Sequence, residues 1–78
     1  MPRYFFNLYN DVTSMDDEGE EFPDLVAARA HGVSAARVMA AESVRNGKIN
    51  MRHHIDVVDK SGNILERVRF GDAVSIEE

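Results

Sequence analysis

The chain has 78 residues, 44% of them hydrophobic, which is material for one small domain (residues 1–78) with one core. It has no cysteine, which excludes disulfides and thiolate metal sites and leaves stability to packing and association. Its net charge of −5 argues against nucleic acid as the main partner, and no apolar run approaches the roughly 20 residues that span a bilayer.

The start, Met1 to Tyr4, lacks the apolar stretch of a signal peptide. A soluble cytoplasmic protein without membrane contact is expected. Arg3 to Tyr9 then predicts a strand rich in residues that suit a pleated, half-buried surface. Tyr4, Phe6 and Leu8 share one face by period two, the expected core face. Phe5, Asn7 and Tyr9 share the other, where Phe5 and Tyr9 call for a cover, one hint of a partner.

Asn10 to Phe22 is a polar connection whose charges are all acidic: Asp11, Asp16, Asp17, Glu18, Glu20 and Glu21. Gly19 can turn it back, with Glu20 to Phe22 as a very short extra strand. The connection should stay mobile unless arginines pin it.

Asp24 to Gly47 is the clearest element, a long helix about 33 Å in length. Asp24 is a good N-cap, seven alanines follow between Ala27 and Ala41, and Gly47 suits the position just past the end. At about 100° per residue, Leu25, Ala28, Gly32, Val33, Ala36, Met39 and Ala40 gather on one face, flanked by Val26 and Val44. The small residues of this face, Gly32 among them, point to close approach of helix and sheet. Arg29 falls inside the apolar sector, and its guanidinium is expected to reach Asp16 or Glu21 in the acidic loop. Val38 and Ala41 lie on the opposite, mostly polar side. From Arg29 to His54 the balance is basic, with Arg29, Arg37, Arg45, Lys48 and Arg52 against Glu42. An acidic loop thus feeds a basic helix, either as complementarity within the fold or as a head-to-tail contact between subunits.

Lys48 to Met51 links to a second strand at His53–Val58. Asp59 to Asn63 forms a turn, and Ile64–Phe70 is a third strand, together a hairpin with a longer loop. Ile55, Val57, Val68 and Phe70 belong on the core face, which leaves Leu65 requiring a bulge or an edge position. Gly71-Asp72 breaks the strand, and Ala73 to Ile76 adds a short edge segment. Strands of seven residues span about 23 Å. The helix is longer than its sheet, so one end should overhang, bend or meet a partner.

No constellation of residues demands a chemistry. His53 and His54 are adjacent on a strand and face opposite sides, and His31 lies on the helix's outer sector, so no shared metal is expected. Asp16 to Glu21 lacks the alternating spacing and distal glutamate of a calcium loop. Arg67 and Arg69 share a strand face with Tyr9, Arg52 and His54 near them, which is the best available basic patch for nucleic acid. No P-loop, GxGxxG, GxSxG or HExxH pattern occurs. Small tautomerases use an exposed N-terminal proline as a general base. This chain is similar in Pro2 and in its strand-then-helix start, but not in its long acidic connection.

From end to end, Met1-Pro-Arg-Tyr-Phe-Phe6, Asp17-Glu-Gly-Glu-Glu-Phe-Pro-Asp-Leu25, Ala28-Arg-Ala30 and the hairpin Ile55-Asp-Val-Val-Asp59…Gly62…Leu65…Val68-Arg-Phe70 resemble a family of short alphaproteobacterial proteins catalogued as a domain of unknown function. The resemblance implies no activity, cofactor or catalytic residue. It implies that the Glu18-Gly19 turn and Arg29 belong to the fold. Val26 and Ala27 depart from that family's more acidic helix start, which speaks against a capping box.

The expected fold is α+β, a two-layer β-α-β-β with one long helix on a three- to four-stranded antiparallel sheet. The expected function is non-enzymatic: a protein-interaction or self-associating module, with an unidentified protein or a second copy (a homodimer) as partner. No catalytic, metal or cofactor-binding residue is assigned. A nucleic-acid-binding module using the basic sheet face is the alternative, and a tautomerase-like enzyme using Pro2 is the less favoured one.

Overall fold

Tyr4, Phe5, Phe6, Leu8 and Tyr9, residues that favour a pleated surface, make Arg3–Tyr9 the first strand, β1, as the sequence predicts. In the computed structural model, which describes residues 1–77, four further strands pair antiparallel with it directly or in turn. They are β2 (Thr13–Ser14), β3 (Glu20–Glu21), β4 (His54–Val58) and β5 (Ile64–Arg69). The long helix α1 (Leu25–Arg45) lies across one face, and a single helical turn, α2 (Phe70–Ala73), follows β5. The class is α+β, as the sequence predicts, with β2 and β3 on the same side of β1 so that the sheet is four strands wide.

The strand order is β2-β1-β4-β5, with β3 pairing β1 as well. β2 opposes Leu8 and Tyr9 while β3 opposes Arg3 and Tyr4, so the two behave as one interrupted strand. At the interruption a side chain replaces the backbone: the Asp16 carboxylate accepts the Phe6 N–H at 3.0 Å. The same carboxylate accepts from Glu18 and Gly19, and the Asp16 N–H donates to Asn7 Oδ1. The acidic connection is therefore pinned, chiefly by a carboxylate rather than by the arginines expected. Arg3 adds one contact, donating to the Glu18 carbonyl at 2.8 Å. Gly19 has φ +68°, and a Cβ there would meet the Tyr4 carbonyl at 2.7 Å and the Phe5 ring at 2.9 Å.

This connection corrects one expectation. Phe5 is half-buried against Gly19, and the Tyr9 hydroxyl lies 3.8 Å from Met15 Sδ. The chain's own loop supplies cover for the second sheet face, so these two aromatics give no sign of a partner.

Both caps of α1 form as the sequence predicts. Asp24 Oδ1 accepts the Ala27 N–H at 2.9 Å, with no acidic residue in the first turn to complete a capping box. At the other end Gly47, at φ +95°, donates to Val44 O, and Lys48 donates to Ser43 O. These are the two bonds of a Schellman ending. Ala28, Gly32, Ala36 and Ala40 are buried against the sheet. A Cβ at Gly32 would stand 3.3 Å from Val57 Cγ2, which is the close approach that the small-residue face implies.

Two clusters make the core. Under the first half of α1, Tyr4, Ala28 and Val57 pack with Phe6, Phe22 and Leu25. Under the second half, Ala36 and Ala40 meet Ile55, Val68, Phe70 and Ala73. The β4–β5 register runs Val57 to Glu66 and then Val58 to Ile64, so Leu65 is the extra residue of a bulge. Ile55, Val57 and Val68 face inward on the regular side of that bulge, and Phe70 follows them into the core.

Three boundaries differ from expectation. The second strand begins at His54, one residue late, and the third ends at Arg69. Phe70 keeps one bond in register with the ladder, its N–H donating to the His53 carbonyl at 2.7 Å, but the Gly71 N–H turns to the Met51 carbonyl and the Asp72 carboxylate caps the turn through the Arg69 N–H. The edge segment expected over Ala73 to Ile76 is absent: Ala73 ends the turn and Val74 to Glu77 has no regular structure.

Arg29 also goes elsewhere. It faces Glu66 of β5 at 3.8 Å, and His31 instead meets Glu20 of the acidic connection at 3.8 Å. Two residues apart on a helix project about 200° apart. Arg29 therefore leaves α1 on the β5 flank, while the acidic connection lies beneath the other. Nor is His31 a bare outer residue, since its ring packs 4.8 Å from Phe6 and 5.2 Å from Phe22.

Candidate functional site

Helix length creates the first candidate surface. The 21 residues of α1 span about 32 Å, whereas the five of β4 cover about 17 Å. Ala36 and Ala40 still rest on the core, so it is the last turn of α1, after Ala40, that runs past the sheet. There Ile49 and Met51 of the link, and Val74 and Ile76 of the tail, stand beside Ala40, Ala41 and Val44 of the helix. Together with the Arg37 stem they enclose an open apolar groove of about 420 Å³. Arg37 does not fill it, because its Nε donates to the Ala73 carbonyl at 2.7 Å.

The groove is one end of a longer strip. Val26, Ala30, Val33, Arg37, Ala40 and Val44 fall at alternating spacings of four and three, the spacing of a helix-packing seam. This strip is distinct from the sheet-facing line of Ala28, Gly32, Ala36 and Ala40, although it shares Ala40 with it and its Val33 also packs against the core. Val26 is 79% exposed and Val44 59%. The expected role of Val26 and Val44 as mere flanks of the core face is thus incomplete. The spacing was available in the sequence. The walls contributed by Ile49, Met51, Val74 and Ile76 were not, since they come from segments without regular structure.

A second cleft, of about 160 Å³, lies at the end of α1. It holds Asp11, Lys48 and His53 beside Ser43, Asn46 and Asn50. Its amides and hydroxyl are engaged locally: Ser43 Oγ donates to Met39 O, Asn46 Nδ2 to Glu42 O, and Asn50 Oδ1 accepts the Arg52 N–H. His53 Nε2 is 3.9 Å from Asp11 Oδ1, beyond hydrogen-bond reach. The arrangement supplies no nucleophile–base pair.

The outer sheet face gathers the residues of the basic patch. Tyr9 stacks on His54 at 4.9 Å, Arg69 lies opposite His54, and Arg67 lies opposite Asp56. Their charges are already spent. Arg67 Nε and Nη2 donate to the two carboxylate oxygens of Asp56 at 2.8 and 3.1 Å, which holds the guanidinium's pKa above its ordinary value. Arg69 faces Asp72 at 3.8 Å. Arg45 is engaged similarly, by Glu42 at 3.4 Å.

Two carboxyl groups titrate low. Partial burial pushes Asp16 upward, but the N–H groups of Gly19, Phe6 and Glu18, with the Arg3 charge, outweigh it and bring the net shift down. Asp59 is held down chiefly by the Asn63 side chain, then by the N–H groups of Asn63, Ser61 and Gly62 in the hairpin turn.

His31, His53 and His54 sit in three separate settings, and among the described residues no three His, Asp or Glu side chains converge on a point that could hold a metal. Pro2 is exposed, its carbonyl accepts the Phe22 N–H at 3.1 Å, and it lines neither cleft. No helix among the described residues is long and apolar enough to cross a membrane.

Residues 3–71 match the family described as a domain of unknown function, DUF6894. No curated protein and no solved structure matches the chain.

Proposed function

The chain belongs to the DUF6894 family, a domain of unknown function, and from that premise we propose that it is a small one-domain interaction module that self-associates as a homodimer. The observation that carries this reading is the apolar strip of α1 with its groove, which the chain's own sheet leaves open. Val44, Val74 and Ile76 are exposed at the groove and Val26 at the far end of the same flank, and apolar surface at a groove of this kind marks association sites. Neither cleft brings a nucleophile, base and acceptor site together, so the reading is non-enzymatic. It includes a cytoplasmic location, with packing and association standing in for cross-links. Sedimentation equilibrium tests it: a dimer is expected at micromolar concentration, and a clean monomer at several hundred micromolar removes it.

The Tyr9–His54 stack beside Arg67 and Arg69 favours a second reading, nucleic-acid binding at the outer sheet face. That reading predicts salt-sensitive retardation of DNA or RNA. The lack of any retardation at low salt would end it.

A further inference from the structure

We infer that two copies of this chain pack α1 against α1 antiparallel about a two-fold axis, with Val26 of each copy seated in the apolar groove of the other. The inference rests on the self-association reading and gives it a geometry.

The seam is self-complementary. Turned end for end, it sets Val26 against Val44 of the second copy, Ala30 against Ala40, and Val33 against Arg37. Large residues thus meet at both ends, and small ones between them let the helix axes approach to about 8 Å. At the centre, the Arg37 guanidinium is already drawn aside to the Ala73 carbonyl. Only its aliphatic stem remains to face Val33. A two-fold contact of this kind uses the same patch on both subunits, as closed dimers require.

Val26 lacks a groove of its own. It is 79% exposed near the helix start, while the groove lies at the other end of the same flank. Those two positions are about 27 Å apart along the axis, too far for one copy to satisfy itself. A parallel pair would set Val26 on Val26 and leave both grooves open.

Charge selects the same direction. Asp24 caps the start of α1 and Lys48 follows its end, while Arg45 is held by Glu42 within the copy. Antiparallel packing brings acidic start to basic end twice and opposes the two helix dipoles. A parallel pair would bring like ends together.

The absence of cysteine makes the test clean. Val26→Cys and Val44→Cys are prepared separately, at exposed positions where substitution leaves the fold intact. Each alone, and then an equimolar mixture, is treated with a short bis-maleimide. Cross-linked dimer is expected at least tenfold faster in the mixture than in either variant alone. Val26→Cys linking to itself as fast as the mixture means a parallel pair and overturns the inference. No excess in the mixture, with the unmodified protein dimeric by sedimentation, overturns this geometry but leaves self-association standing. A monomer by sedimentation removes both. Val26→Lys supplies a second measurement: dimer affinity is expected to fall at least tenfold, and unchanged affinity would also overturn the inference.

Discussion

Arg67 grips Asp56 with both arms of its guanidinium, yet the two residues sit in very different surroundings. The Asp56 side chain is 1% exposed, whereas that of Arg67 is 45% exposed. The carboxylate depends on the arginine for its hydrogen bonds, while the arginine can turn to water. The pair joins β4 to β5 on the outer sheet face, and it withdraws a charge that the basic patch would otherwise offer.

Unequal burial makes the two single substitutions unequal. Arg67→Ala strands a buried carboxylate and should cost about 3 kcal/mol. Asp56→Ala removes the buried charge itself and should cost less, about 1–2 kcal/mol. The double variant should lose less than the two single losses combined. Urea unfolding of the four proteins checks the order, and equal single losses would contradict it.

Acid should act through Asp16. A carboxyl whose pKa folding lowers stabilises the fold above its unfolded value of about 4 and loses that contribution as pH falls through the lowered value. Asp16 and Asp59 are both lowered, so the protein should lose stability steeply below pH 4. Asp16→Asn should be less stable than the unmodified protein at pH 7, because Phe6, Glu18 and Gly19 lose a charged acceptor. The gap should shrink toward pH 3. Urea midpoints at both pH values measure it, and a constant gap would show that Asp16 is not the titrating group.

Gly19 and Gly47 both have positive φ, but only Gly19 is crowded. Gly47→Ala meets no atom within 4 Å and should cost about 1 kcal/mol for its backbone alone. Gly19→Ala adds a collision with the Tyr4 carbonyl and the Phe5 ring, so at least about 2 kcal/mol is expected. Thermal melts should rank them in that order.

Gly32 tests how closely α1 rests on the sheet. Gly32→Ala gains about 1 kcal/mol of helix propensity. It also places a methyl 3.3 Å from Val57, a tight contact, so the net change should stay within about 1 kcal/mol. Gly32→Leu has no such balance and should abolish cooperative unfolding or cost more than about 3 kcal/mol. A tolerated leucine would mean the helix can lift from the sheet.

Local chemistry was the legible part of this fold. Asp24 and Gly47 bound α1 through their own backbone bonds, and the conflict between Leu65 and its inward-facing neighbours already required the bulge. The contacts of Asp16 were not legible, because a carboxylate completing a strand ladder ten residues away leaves no periodicity. The partner of Arg29 depended on which flank faces which strand. Phe70 was expected to end a strand, and the Asp72 carboxylate, accepting the Arg69 N–H, makes it begin a helical turn instead. The apolar strip of α1 could be counted from spacing, but the tail residues that wall its groove could not.

The bulge at Leu65 reaches beyond its own hairpin. β5 is a terminal strand of the sheet, and such a strand is a template on which other chains can polymerise. Here the kink breaks the run of hydrogen-bonding groups, and Glu66, Arg67 and Arg69 follow it at once. Each incoming strand would have to match an irregular backbone and desolvate charge. The β5 edge is thereby a poor template for fibrous growth, and a surface residue out of step with its hairpin guards the solubility of the fold.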